Sequence, residues 1–166
     1  VIPTHAPCLR LIARGLRSGN AVTMRPYPIA ANPAAGLDRS MKTEEQTSVA
    51  QAIRAMLPRG VGLAVCDIDV PQPPLWPEEE AAVRRAVPSR IREFTAGRAA
   101  ARLAMTDVGL MPGAVTTTAA RAPVWPPGLS GSITHTARIA AAVVSRQADW
   151  PAIGLDLEQA EPMSDD

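Results

Sequence analysis

Two stretches, Gly131-Ser-Ile-Thr-His135 and Ile153-Gly-Leu-Asp-Leu-Glu158, decide how this chain is read. The second has strand character. With side chains alternating at period two, Ile153, Leu155 and Leu157 face a core, and Gly154, Asp156 and Glu158 line the other face. Two carboxylates at that spacing sit roughly 7 Å apart on one side of the strand, close enough to serve one hard cation. Mg²⁺ prefers a few carboxylates together with phosphate oxygens and retained waters. Gly154 leaves room beside them. His135 ends the Gly-Ser-rich approach and can meet the same phosphate. An Asp-x-Glu pair alone is more often a solvated strand face, so the weight falls on what surrounds it.

The surroundings are specific. Pro123-Val-Trp-Pro-Pro-Gly-Leu-Ser-Gly-Ser-Ile-Thr-His-Thr136, a small-residue strand, and then Ile153–Glu158 resemble the 4′-phosphopantetheinyl transferases, in particular the enterobactin-synthase and mycobacterial types. Upstream, Arg90-Ile-Arg-Glu-Phe-Thr-Ala-Gly-Arg98 resembles the same group's first motif. The likeness runs in family order from about Leu57 to Glu158. It implies an α+β fold made of two similar halves related by a pseudo-twofold axis. This chain would carry the first half and the opening strand of the second. It also implies an enzyme dependent on CoA and Mg²⁺ that modifies acyl or peptidyl carrier proteins, as in siderophore, polyketide or nonribosomal peptide biosynthesis.

Composition agrees with an ordinary globular domain: 166 residues, 17 basic against 16 acidic, and 3% aromatic. One domain is expected, with a core of Ala, Val, Leu and Ile. Lys42 is the single lysine, a bias toward arginine that lowers the meaning of any one arginine. Cys8 and Cys66 form neither a disulfide framework nor a metal spacing, which points to a reducing cytoplasm. No apolar run reaches the roughly 18 residues of a membrane span.

Residues 1–43 read as a disordered extension, rich in proline and carrying six basic residues to one acid; no role is assigned to His5. Residues 44–151 read as the N-terminal half of a transferase domain, and residues 152–166 as the start of a second half. Thr43-Glu-Glu-Gln46 fits a capping box that opens a helix ending at Pro58-Arg-Gly60. Val61–Ile68 reads as a strand closed by Asp67 and Asp69. Pro77 followed by three glutamates starts a helix, with the acids at the positive end of its dipole. A longer helix runs from about Pro88 to Val108. Its apolar face carries Ile91, Phe94, Ala101 and Met105, and Arg98 falls inside that face. An arginine there must find an anion or be buried at a cost of several kcal/mol. Arg102 lies at the edge of the same face, whereas Arg84 and Arg85 fit a solvated surface. Short strands are expected near Ala114–Thr118, Leu129–Thr134 and Ile139–Val144.

The resemblance assigns roles. Asp156 and Glu158 would hold Mg²⁺, and His135 would donate to a pyrophosphate oxygen of CoA. Arg90 and Arg98 match the basic positions for its 3′-phosphate, where a guanidinium fork suits a dianion. Arg102, Arg121, Ser132 and Thr134 are further CoA-binding candidates. Arg121-Ala-Pro123 departs from the family, which usually has glycine before the Ala-Pro step. The family's later Trp-x-x-Lys-Glu-Ala motif is not among the 166 residues. The expectation is therefore a transferase of impaired competence with an open apolar edge, which a separate chain could cover. The alternatives are a CoA-binding remnant without catalysis, and a nucleic-acid-binding module built on the arginine-rich helix. The last is disfavoured because aromatic stacking platforms are missing. No nucleic-acid or membrane partner is expected.

Overall fold

A computed structural model of the chain describes residues 7–14, 22–23, 27–28 and 39–159. In chain order the elements are strands β1 (Pro7–Arg14), β2 (Val22–Thr23) and β3 (Tyr27–Pro28), helix α1 (Arg39–Met56), strand β4 (Gly62–Asp67) and helices α2 (Pro77–Glu80) and α3 (Pro88–Asp107). Then come strands β5 (Thr116–Thr117), β6 (Pro123–Val124), β7 (Leu129–His135), β8 (Ile139–Arg146) and β9 (Ala152–Gln159). The fold is mixed α+β.

The centre is β8, an antiparallel neighbour of both β4 and β7. Its sequence Ile-Ala-Ala-Ala-Val-Val-Ser is buried throughout, as an unbroken apolar run between turns predicts. Alternation splits it between two cores. Ile139, Ala141 and Val143 pack with Val49 and Ile53 of α1 and with Ile153, Leu155 and Leu157 of β9. Ala140, Ala142 and Val144 pack with the alanines and Met105 of α3.

Small residues on both sides bring α3 close to the sheet. A Cβ at Gly62 would lie 2.0 Å from the Ala104 carbonyl oxygen, and one at Gly97 would lie 2.9 Å from Ile133 Cγ2. Any larger residue at Gly62 would push β4 and α3 apart, because close-packed interiors do not absorb a buried methyl without displacement.

Strand β9 is joined to β7 differently. Ser130 Oγ donates to the Trp150 carbonyl, Ser132 Oγ to that of Leu155 (3.3 Å), and the Leu157 amide donates to Thr134 Oγ1 (3.1 Å). A row of hydroxyls thus stands in for a backbone ladder. On β9's other side, β1 pairs antiparallel along its whole length, from Pro7 opposite Gln159 to Arg14 opposite Ala152.

That pairing departs from the sequence reading. Within residues 1–43, read as a disordered extension, Pro7–Arg14, Val22–Thr23 and Tyr27–Pro28 are strands, and the first of them pairs with β9. Its apolar Leu9, Leu11 and Ile12 give it strand character that the surrounding prolines hide. The remaining expectation of a disordered extension falls outside the described residues. Helix α1 also begins at Arg39, upstream of the capping box at Thr43, since no breaker separates Arg39 from Thr43. Helix α2 is a single turn.

Candidate functional site

A cleft of about 800 Å³ opens between the turn at residues 81–87, the first half of α3 and the β5–β6 hairpin, and it ends at His135. Arg84, Arg85, Arg90, Arg98 and Arg121 line it, with Glu93 as the one carboxylate. Pro88 starts α3 at a position where its missing N–H costs nothing, which sets Arg90 and Glu93 on the first turns facing His135.

The arginines differ sharply in what they touch. Arg98 is 6% exposed. Its Nε donates to the Val115 carbonyl at 2.6 Å and its Nη2 to Thr117 Oγ1 at 2.9 Å, while its guanidinium lies 3.9 Å over the Phe94 ring. Burial pulls its pKa down to about 10, so the group remains charged at neutral pH. Arg98 therefore fixes β5 to α3 and so positions the hairpin that carries Arg121. Arg102 is not at the cleft. Its Nη1 donates to Glu79 Oε2 at 2.8 Å, and Glu79 is fully buried. The Glu79 carboxylate also accepts from the Trp76 amide (3.1 Å) and the Val115 amide (2.9 Å). Glu79 is thus an internal anchor rather than a solvated acid at a helix start.

Arg121 has φ 65°, in the left-handed region. The hairpin turn imposes it: the Arg121 amide donates to the Thr118 carbonyl, and the Thr118 amide to that of Ala122 (both 2.9 Å). Glycine suits such a turn, in keeping with the expected family residue there.

His135 sits at the end of β7, half-exposed, with Nε2 3.1 Å from Arg90 Nη1. Arginine only donates, so Nε2 accepts and Nδ1–H donates to the Thr136 carbonyl (3.3 Å). To donate to a phosphate through Nε2, the ring must exchange that acceptor role for a donor one.

Strand β7 divides the site in two. Ile133 and His135 face the cleft. Ser132 and Thr134 face β9, where their hydroxyls are engaged with its backbone, so both candidates are taken up in joining strands. Thr134 Oγ1 also lies 3.4 Å from Asp156 Oδ1. Asp156 and Glu158 are exposed on β9, on the face opposite Ile153, Leu155 and Leu157, as the alternation predicts. The pair fits one side of a hard-cation site that phosphate oxygens and water would complete. Among the described residues no group of three or more His, Cys, Asp or Glu could hold a metal by itself.

The sequence reading missed Glu79 as a buried partner and set Arg84 and Arg85 aside as surface. The first had a legible signal: an arginine at an apolar face needs an anion, and an acid three residues after Trp76 has its carboxylate turned back toward the chain.

Comparison with known proteins agrees with these motifs. The family model for the 4′-phosphopantetheinyl transferase N-terminal domain matches residues 78–145. The 4′-phosphopantetheinyl transferase Svp of Streptomyces mobaraensis is 40% identical over 116 residues, 68% of this chain and 47% of that protein. PptT of Mycobacterium tuberculosis is 33% identical, over 68% of this chain and 49% of that one. Enterobactin synthase component D of Salmonella typhimurium is 42% identical, over 51% and 34%. The matches thus span about half, or less, of the length of these curated relatives. A holo-(acyl-carrier-protein) synthase from Bacillus anthracis, solved with CoA (3′,5′-ADP), superposes with a TM-score of 0.43 at 20% identity, over 61% of this chain and 96% of that one; at that level it bears on neither site nor activity. No helix among the described residues is long and apolar enough to cross a membrane. By its motifs in order and these sequence matches, the chain belongs to the 4′-phosphopantetheinyl transferase superfamily.

Proposed function

We propose that this chain supplies the CoA-binding portion of an enzyme that transfers 4′-phosphopantetheine from CoA to a serine of an acyl or peptidyl carrier protein in the cytoplasm. The observation that carries the reading is the basic cleft ending at His135, with the Asp156–Glu158 pair just beyond β7. In the reaction the serine oxygen forms a bond to the phosphorus bearing the pantetheine arm. The pyrophosphate P–O bond breaks, adenosine 3′,5′-bisphosphate leaves, and the serine proton passes to water. Such transfers depend mainly on positioning and charge neutralisation. Arg90 and Arg121 hold the nucleotide's phosphate, with Arg98 fastening the hairpin that carries Arg121, and His135 donates to a pyrophosphate oxygen. Mg²⁺ bound by Asp156 and Glu158 would neutralise charge on the pyrophosphate. A ligand spanning both parts must cross the end of β7 at His135, which explains why the histidine ends that strand.

Among the described residues Asp156 and Glu158 are the carboxylates read as facing the cation, and the 166 residues contain no Trp-x-x-Lys-Glu-Ala motif. By themselves they should bind CoA and transfer slowly, since removing even one placed electrostatic donor costs ~10²–10³ in rate. The second reading is CoA binding without catalysis. Incubation with CoA, Mg²⁺ and apo carrier proteins separates the two by mass spectrometry. A slow phosphopantetheine mass increase, abolished in Asp156→Ala, supports the transferase. CoA binding with no loading, even after addition of a polypeptide carrying a Trp-x-x-Lys-Glu-Ala motif, supports the second.

A further inference from the structure

We propose that Glu79, which does not line the cleft, is a positioning residue for CoA: it ties the walls of the cleft to one another and so sets the cleft's affinity from inside the protein. The inference rests on the CoA reading and deepens it. The walls are the turn at residues 81–87, α3 and the β5–β6 hairpin, which come from separate stretches of the chain. Glu79 bonds toward each of them. Its backbone carbonyl accepts from the Ala82 amide (3.2 Å), where the turn begins. Its Oε2 accepts from Arg102 Nη1 on α3 (2.8 Å), and its Oε1 from the Val115 amide (2.9 Å), one residue before β5.

Burial is the first argument. Glu78 and Glu80 lie in water, as acids at a helix start can, but Glu79 between them is fully buried. A carboxylate is costly to bury unless a counter-charge and hydrogen bonds offset the lost water. Helix α2 is a single turn, too short to hold its own direction by its backbone bonds. The inward carboxylate supplies what the helix lacks, a fixed connection to two other elements.

The hairpin is the second argument. Strands β5 and β6 have two residues each, and so small a ribbon is marginal without outside support. Val115 gives that support from both of its backbone groups: its amide donates to Glu79 and its carbonyl accepts from Arg98 Nε (2.6 Å). The two charged residues also act on each other. Burial lowers the Arg98 pKa to about 10, and the Glu79 charge opposes that fall. A ligand that reaches across a cleft binds best when its walls are already set, because loose walls add an ordering cost. Losing Glu79 should therefore weaken CoA although every group that lines the cleft remains.

Calorimetric titration of the 166-residue chain with CoA, alongside amide hydrogen exchange, tests this in wild type, Glu79→Gln and Ile53→Ala. Ile53 is fully buried in the core shared by α1 and β9, so its truncation lowers stability away from the walls. Circular dichroism checks that each variant is folded; should Glu79→Gln not fold, Glu79→Asp, which keeps the charge but draws it back from Val115, carries the same comparison. The expected result is CoA binding at least tenfold weaker in the Glu79 variant and within threefold of wild type in Ile53→Ala. Exchange at Thr118 and Arg121 in the hairpin and at Ala86 in the turn should be at least tenfold faster in the Glu79 variant than in Ile53→Ala. Equal weakening of CoA in both variants would reduce Glu79 to general stability and overturn the proposal, as would unchanged CoA binding or selective weakening with the wall amides unaltered. In each of these cases wild-type binding leaves the CoA reading standing. If wild type does not bind CoA, that reading fails, and exchange alone decides on Glu79: selective acceleration in both walls keeps the tie, and its absence overturns it.

Discussion

Arg98 and Arg102 stand one turn apart on α3, and both are nearly buried; Arg84, Arg85 and Arg121 lie around the cleft and are exposed. The buried pair have found their anions and carbonyls inside the protein, in Glu79 and along β5. Among the described residues the exposed set have no carboxylate in ion-pair range. The difference teaches that an arginine on an apolar helix face signals a demand for a partner without saying whether that partner is a ligand. Arg102 is satisfied internally by Glu79 and lies away from the cleft, whereas Arg84 and Arg85 line it.

The largest expected effect falls on the buried pair. Arg102→Ala leaves the fully buried Glu79 carboxylate uncompensated and should lower unfolding free energy by about 3–5 kcal/mol, while Arg84→Ala should stay within about 0.5 kcal/mol. Urea titration compares them. A cost below 1 kcal/mol for Arg102→Ala would dissolve the contrast between the two sets.

Arg98→Ala comes next, at about 1.5–3 kcal/mol for charge-assisted bonds lost from a partly closed site. Because Arg98 fastens β5, the loss should also speed amide hydrogen exchange in the β5–β6 hairpin, at Thr118 and Arg121. Unchanged exchange there would leave Arg98 without its positioning role.

The exposed Arg54–Asp107 pair sharpens the comparison from the other side. Partial burial pushes the Asp107 carboxyl up, but the Leu63 amide and Arg54 outweigh it and hold it below the usual carboxylate range. A lowered folded pKa means stability that is present above the unfolded value of about 3.9 and is lost as pH falls through the folded one. Asp107→Asn should therefore cost at most about 1 kcal/mol at pH 7, given the pair's exposure, and the difference from wild type should fade below about pH 4. A difference that persists at pH 2 would mean that packing, not charge, is responsible.

Smallest of all, Arg121→Gly should relieve the left-handed backbone and change stability by no more than about 1 kcal/mol, in the stabilising direction. The same substitution should weaken adenosine 3′,5′-bisphosphate binding. A destabilised Arg121→Gly with unaltered binding would show that the side chain serves the hairpin and not a ligand.

Much of this was legible in the sequence. The alternation in Ile153–Glu158 fixed which face carries the carboxylates, and the apolar Ile139–Val144 run read as a strand, though not as the central one. Pro88 located the start of α3. What the sequence could not show depends on packing between distant segments. Glu79 and Val115 are 36 residues apart, and the local signal at Glu79 does not say which distant segments it will meet. Ser132 and Thr134 were CoA-binding candidates through the family resemblance alone, and their hydroxyls bond to the backbone of β9, which no local pattern shows. Pro7–Arg14 was passed over because prolines surround it and its partner strand is at the other end of the chain.

The measurement that tests the central claim most directly is calorimetric titration of the purified chain with CoA, with and without Mg²⁺, in wild type and Arg90→Ala. The account predicts saturable one-to-one binding, strengthened by Mg²⁺ and weakened about tenfold or more by the substitution, in line with a lost charge-assisted contact of about 1.5–3 kcal/mol. A wild-type chain that shows no saturable CoA binding at millimolar concentration, with its fold intact by circular dichroism, would contradict it.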